Sequence, residues 1–176
     1  LAERTRLGIP VTISSDPRHG YHQLAGASEV TDAFSRWPEP IGLAAIGLAK
    51  AAGAGTIAAF ELSPARRELA TKVGADYVYD PREVSAGEVL MELSKGEGFN
   101  FQVEAAGAPH LTIPEMEKAL AINSKVVQIG RAARKVPMYL EAFQVRRSQA
   151  FGAQGHSGHE TFPNVIRLVA AGRLDL

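Results

Sequence analysis

The chain has 176 residues, 45% of them apolar and 22% charged, values of an ordinary globular domain that exclude a disordered or fibrous protein. Lys plus Arg equal Asp plus Glu at nineteen each, so no excess basic field exists to hold nucleic acid or an anionic membrane. With no Cys there are no disulfides, no thiol nucleophile and no thiolate metal site, and the length suits one core better than two.

The first predicted element is a β-branched strand at 9–15, "IPVTISS". Residues 16–39 follow with Pro, Gly, His and Ser and no sustained periodicity, a long loop for a compact domain. Asp16 before Pro17 reads as a turn residue, and His19 and His22 share a three-residue spacing that could serve a metal but reads better as a pair of loop histidines. From residue 40 helix-like and strand-like stretches alternate, the pattern of an α/β fold with a parallel sheet under crossover helices. Ile41, Ala45, Leu48 and Ala52 follow i, i+4, i+7 spacing, and Pro40 and Gly53 bracket a helix over 40–52.

"GTIAAFE" (55–61) reads as a buried strand. Ser63, Pro64 and Gly74 suit the N-cap, first turn and left-handed end of a helix at about 64–73. "DYVYD" (76–80) is a strand, and Ser85 with Glu88 has capping-box spacing ahead of the next helix. "FNFQVEAAG" (99–107) is a strand running into a small-residue turn. Thr112 with Glu115 repeats the capping-box spacing before a predicted helix "MEKALAI". "KVVQIG" (125–130) is the clearest buried strand, "SQAFGAQ" (148–154) is another, and "FPNVIRLVAAG" closes with a helix that Gly172 ends. His156 and His159 in "GHSGH" have metal spacing, but their flexible glycine context and the lack of an obvious Asp, Glu or Cys partner make them read as loop histidines too. No apolar run reaches the ~18 residues of a membrane span and the start lacks a signal-peptide core, so a cytoplasmic protein is expected.

Taken in order, "PIGLAAIGLAKAAGAG", "ELSPARRELATKVGADYVYDP", "FQVEAAGAP", "KVVQIG" and "GAQGHSGHETFPNVIRLVAAGRLDL" make residues 40–176 resemble the nucleotide-binding domain of the medium-chain, zinc-type alcohol and polyol dehydrogenases. The last of these segments is similar to members acting on cyclitols and sugar alcohols. The resemblance implies a Rossmann-like, doubly wound parallel sheet, an oxidoreductase relationship and NAD as cofactor. Of the loop glycines that let a dinucleotide pyrophosphate approach the backbone, Trp37 and Glu39 stand at the first two positions and Gly42 keeps the third, which weakens binding by adding a negative charge beside the phosphates. For Gly42 alone, helix-to-strand packing is the better reading. Glu61 falls where an acid accepts hydrogen bonds from ribose hydroxyls and disfavours a 2′-phosphate, with a surface carboxylate near a helix N-terminus as the alternative. Arg66 stands in the family position near the adenosine, or is a solvated helix residue. Ala106, Gly107 and Gly130 would border the nicotinamide half, or simply permit tight turns. No catalytic or metal residue is assigned, because the family's catalytic zinc ligands belong to a separate catalytic domain.

Residues 1–47 carry a second resemblance. "LAERTRLGIPVTISSDPRHGY" and "DAFSRWPEPIGLAAIG" are similar to the N-terminal barrel of family 3 glycoside hydrolases, and "PIGLAAIG" (40–47) fits both parents. The chain therefore reads as a hybrid, with a hydrolase-like segment over 1–39 and a dinucleotide unit over 40–176. Val11 to Ser14 is expected to fill the first-strand position, with 17–36 as the connection. Asp16, Arg18 and His19 resemble a sugar-pocket loop, yet the hydrolase nucleophile lies beyond this segment, so glycosidase activity is not expected.

Three functions stay open: an NAD-binding domain without independent hydride transfer, a non-enzymatic recombined or engineered folding unit that pairs through an open sheet edge into a homo-oligomer, and a carbohydrate-binding remnant using Asp16 and His19. A nucleotide cofactor is the expected partner; nucleic acid and membrane are not.

Overall fold

The structure, a computed structural model, describes residues 40–132, 134–153 and 160–174. Asp16, Arg18, the four loop histidines, Trp37, Glu39 and the expected strand at Val11 to Ser14 lie outside these residues.

The first helix, α1, spans Pro40–Ala51. Pro40 suits its first turn because a proline there sacrifices no intrahelical hydrogen bond. The expected apolar stripe is rotated: Ile41 is 43% and Leu48 39% exposed, while Gly42, Ile46 and Ala49 form the buried face. The helix is apolar on nearly every side, so spacing alone could not choose which face turns inward. Gly53, at φ 86°, ends it, with its N–H on the Lys50 carbonyl.

Strand β1 (Ala58–Phe60) leads to α2 (Pro64–Val73), whose Gly74 adopts the left-handed conformation at φ 116° as expected. Ser63 is extended but makes no side-chain cap; its own N–H donates to Glu61 Oε1 at 2.8 Å. β2 (Tyr77–Tyr79) and α3 (Ala86–Leu93) follow, with the Ser85 hydroxyl accepting the Glu88 N–H at 3.5 Å.

After β3 (Phe99–Glu104), α4 runs over Pro109–Lys118. The capping box expected at Thr112 and Glu115 does not form. Pro109 starts the helix a turn earlier, the Thr112 hydroxyl turns back to the Ala108 carbonyl, and Glu115 instead accepts the Gly87 N–H and the Ser85 hydroxyl. The predicted helix "MEKALAI" is cut in two, because β4 begins at Leu120 and extends to Gln128. A short α5 (Leu140–Arg146), unforeseen in the sequence, precedes β5 (Gln149–Gly152), and α6 (Thr161–Ala170) ends the described fold.

Every strand pair among the described residues is parallel. β1 pairs with β2, placing Phe60 beside Tyr79 with stacked rings 5.7 Å apart, and β4 lies between β3 and β5. Ile57, Ala59 and Val103 pack with Ile46, Ala49 and Ala70, whereas Ala58, Phe60 and Phe99 pack with Ala86 and Leu90. Successive strand residues point to opposite faces, so these two clusters place α1 and α2 on one side and α3 on the other. This is the doubly wound α/β arrangement, and it explains why β1 is apolar without alternation. Each fully buried large side chain such as Ile46, Phe60 or Leu90 contributes roughly 1.5–3 kcal/mol of transfer free energy. No helix among the described residues is long and apolar enough to cross a membrane.

Candidate functional site

In open parallel sheets ligands bind beyond the C-terminal strand ends, where βα loops and helix N-termini gather. Here those ends carry two clusters. Glu61 follows β1 directly and continues its pairing, donating its N–H to the Tyr79 carbonyl at 2.9 Å. Its side chain is buried, and Oε1 accepts the Ser63 N–H and the Arg66 guanidinium, each at 2.8 Å. The surface-carboxylate alternative for Glu61 is therefore overturned. So is the solvated reading of Arg66, whose side chain is only 13% exposed and ion-paired to Glu61. Local bonding explains both: the Glu61 carboxylate is folded onto the start of α2 by the Ser63 N–H and the Arg66 guanidinium.

The neighbouring strand end supplies a second acid. Asp80 is buried, meets Arg67 at 2.9 Å and accepts two guanidinium bonds plus the N–H of Arg82. Arg82, through its side chain and then its backbone, holds the Asp80 carboxyl far below the usual carboxylate range, and Asp80 in turn raises Arg82. Arg67 also donates to the carbonyls of Glu61 and Leu62, so one guanidinium ties together the ends of β1 and β2.

The other cluster sits at the ends of β3 and β4. Glu104 is 1% exposed; its Oε1 accepts the N–H of Ala106 at 3.1 Å and of Ala108 at 3.3 Å, while Oε2 accepts from the Gln128 amide. Its main-chain carbonyl takes the N–H groups of Ile129 and Gly130 at 2.8 and 2.9 Å. Gly107, at φ 70°, turns the loop back toward Gly130, where a Cβ would lie 2.5 Å from Glu104 Oε2 and closer still to Gly107 N. A side chain at 130 has no room, so glycine there is a packing requirement.

The expected residues thus fall into two groups: Glu61 with Arg66, and Ala106, Gly107 and Gly130 around Glu104. Gly42 is buried in the first turn of α1. Glu104 and Gln128 were not foreseen; the one sequence signal was a charged residue ending the apolar run "FQVEAAG". Among the described residues no group of three His, Asp or Glu side chains could hold a metal. The donor set fits a nucleotide in parts. An acid at the β1 end beside a helix N-terminus suits a ribose, and the loops after β3 and β4 are built of small residues. The stretch expected to meet a pyrophosphate, Trp37 to Glu39, lies outside the described residues.

Comparison with known proteins points the same way. The zinc-binding dehydrogenase family matches residues 40–171. Scyllo-inosose 3-dehydrogenase of Thermotoga maritima is 45% identical over 137 residues, 76% of this chain and 35% of that protein. The chain therefore spans about a third of the length of this relative. A Thermotoga maritima structure described as an alcohol dehydrogenase superposes with a TM-score of 0.78 at 38% identity, covering 96% of this chain and 38% of that one. The fold also matches, at 17% identity and a TM-score of 0.72, an E. coli CFT073 alcohol dehydrogenase complexed with NADH, over 98% of this chain and 43% of that chain. A separate match has another origin: the periplasmic β-glucosidase/β-xylosidase of Dickeya chrysanthemi is 62% identical over 47 residues, 27% of this chain and 7% of that protein.

Proposed function

Because the chain belongs to the zinc-binding dehydrogenase family, we propose that it is a nicotinamide-dinucleotide-binding domain with NAD preferred over NADP. The observation that carries this is the buried Glu61 carboxylate at the β1 end. An acid in that position accepts from ribose hydroxyls and repels a 2′-phosphate. Arg66 holds the carboxylate in place and supplies a guanidinium at the rim for the adenosine. Ala106, Gly107 and Gly130 line the nicotinamide half, and Gly42 lets α1 approach the sheet. The Glu39 charge lowers affinity at the pyrophosphate. Titration with NADH tests this: saturable fluorescence enhancement, abolished in Glu61→Ala, supports it, and no response to NADH or NADPH contradicts it.

The reading assigns binding without independent hydride transfer, in a cytoplasmic protein. The substrate class carried over from the inosose dehydrogenase is a cyclitol or sugar alcohol. Addition of such a polyol with NAD is expected to give no NADH.

A second proposal concerns residues 1–39, which we read as a glycoside-hydrolase-like segment joined to the dinucleotide unit. The 47-residue match to the β-glucosidase/β-xylosidase supports it. Among the described residues β1 and β3 are each paired along one edge only, yet Ile57 to Phe60 are at most 1% exposed and share core clusters with Val103 and Phe99. One further parallel strand suits that place, and Val11 to Ser14 is the proposed occupant. Deleting residues 1–15 should then lower the thermal midpoint sharply; an unchanged midpoint would remove this proposal.

A further inference from the structure

We propose that Glu104 is a positioning residue for the nicotinamide half of the cofactor, fixing the spacing between the loop after β3 and the end of β4; this rests on the dinucleotide-binding reading above. The Glu104 side chain bonds to both segments. Oε1 holds the N–H groups of Ala106 and Ala108, and Oε2 holds the Gln128 amide, which also donates to the Gly130 carbonyl at 2.5 Å. All three of these donors are N–H groups, so both carboxylate oxygens act as acceptors.

The geometry explains why a carboxylate stands here. The loop presents two N–H donors and Gln128 presents a third, so the residue between them must accept on both oxygens. A glutamine at 104 keeps one acceptor for the loop but turns an NH2 toward the Gln128 NH2. Gln128 must then flip, and the Gly130 carbonyl loses its donor. The loop stays formed while its tie to β4 loosens. Glu61 and its arginine belong to another pair of strands, so the adenosine half is untouched by this change.

The test compares NADH with ADP-ribose, which shares the adenosine, pyrophosphate and second ribose but lacks the nicotinamide ring. Affinities are measured by calorimetry on the 176-residue chain, with circular dichroism confirming the fold. The wild type should bind NADH more tightly than ADP-ribose. Glu104→Gln should weaken NADH about tenfold, the equivalent of one charge-assisted hydrogen bond, while ADP-ribose stays within about twofold. Gln128→Met, which removes the same tie from the other side, should repeat the pattern and carries the test if Glu104→Gln fails to fold. A purely structural role would weaken both ligands equally, so a parallel loss overturns the proposal, as do unchanged NADH affinity in both variants and a wild type that binds the two ligands equally well. A wild type that binds neither ligand defeats the dinucleotide reading itself and this inference with it; a wild type that binds both, with no selective loss in the variants, defeats this inference alone.

Discussion

The β1–β2 strand ends bury two acids and the β3–β4 ends one, and the two regions satisfy them in different ways. Glu61 and Asp80 are held by the guanidiniums of Arg66, Arg67 and Arg82, so charge meets charge and long flexible side chains supply the reach. Glu104 meets only backbone N–H groups and a neutral amide, with Gly107 and Gly130 pressed against it. The first arrangement depends on ionisation and tolerates adjustment of shape. The second depends on shape, because backbone donors cannot follow an acceptor that moves. The proposed ribose contact falls in the adjustable region and the proposed nicotinamide contact in the rigid one.

Removing the acid from the rigid region should cost most. Glu104→Ala leaves the N–H groups of Ala106 and Ala108 and the Gln128 amide without their acceptor, and the loss should be roughly 3 kcal/mol by urea unfolding. A loss below about 1 kcal/mol would show that water replaces the carboxylate readily and that the region is less rigid than its contacts imply. Gly130→Ala probes the same place by crowding: the added methyl meets Gly107 and Glu104, and about 2 kcal/mol should be lost in the same measurement.

The ion-paired region should show its difference through pH. Because Arg82 and Arg67 hold the folded Asp80 carboxyl below its ordinary value of 3.8, the stability it contributes is present above that pH and is lost as pH falls toward the depressed folded value. The thermal midpoint of Asp80→Asn should therefore lie below the wild type at pH 7, and the gap should narrow as the pH drops from about 4 to 3. A gap that stays constant over that range would mean the arginines act on Asp80 through packing alone. The smallest effect belongs to the half-exposed pair of Lys50 and Asp76, 3.6 Å apart; Lys50→Gln should change stability by no more than about 0.5 kcal/mol.

Much of the fold was legible because its signals are local. Pro64 and Gly74 bracket α2 through backbone rules that need no knowledge of the rest of the chain, and the strand–helix alternation declared a parallel sheet. The misreadings have physical causes too. Thr112 and Glu115 have capping-box spacing, but Pro109 nucleates α4 first and Glu115 serves a different helix, through partners 28 and 30 residues away. α1 is too uniformly apolar for its spacing to declare a buried face, and the seven residues of α5 carry no cap signal. Of the candidate positions, Glu61 and the glycine loops could be placed at strand ends from the sequence. The Glu104 clasp could not, since its partner Gln128 stands 24 residues further on and meets it only after β3 and β4 pair.

The central claim, that these two strand ends form one dinucleotide site, is tested most directly by adding NAD to the uniformly 15N-labelled chain and following backbone amide shifts. The account predicts saturable shifts at both places, in 61–63 after β1 and in 105–108 and 129–130 after β3 and β4. Shifts confined to one of the two regions, or none at all at millimolar NAD, would contradict it.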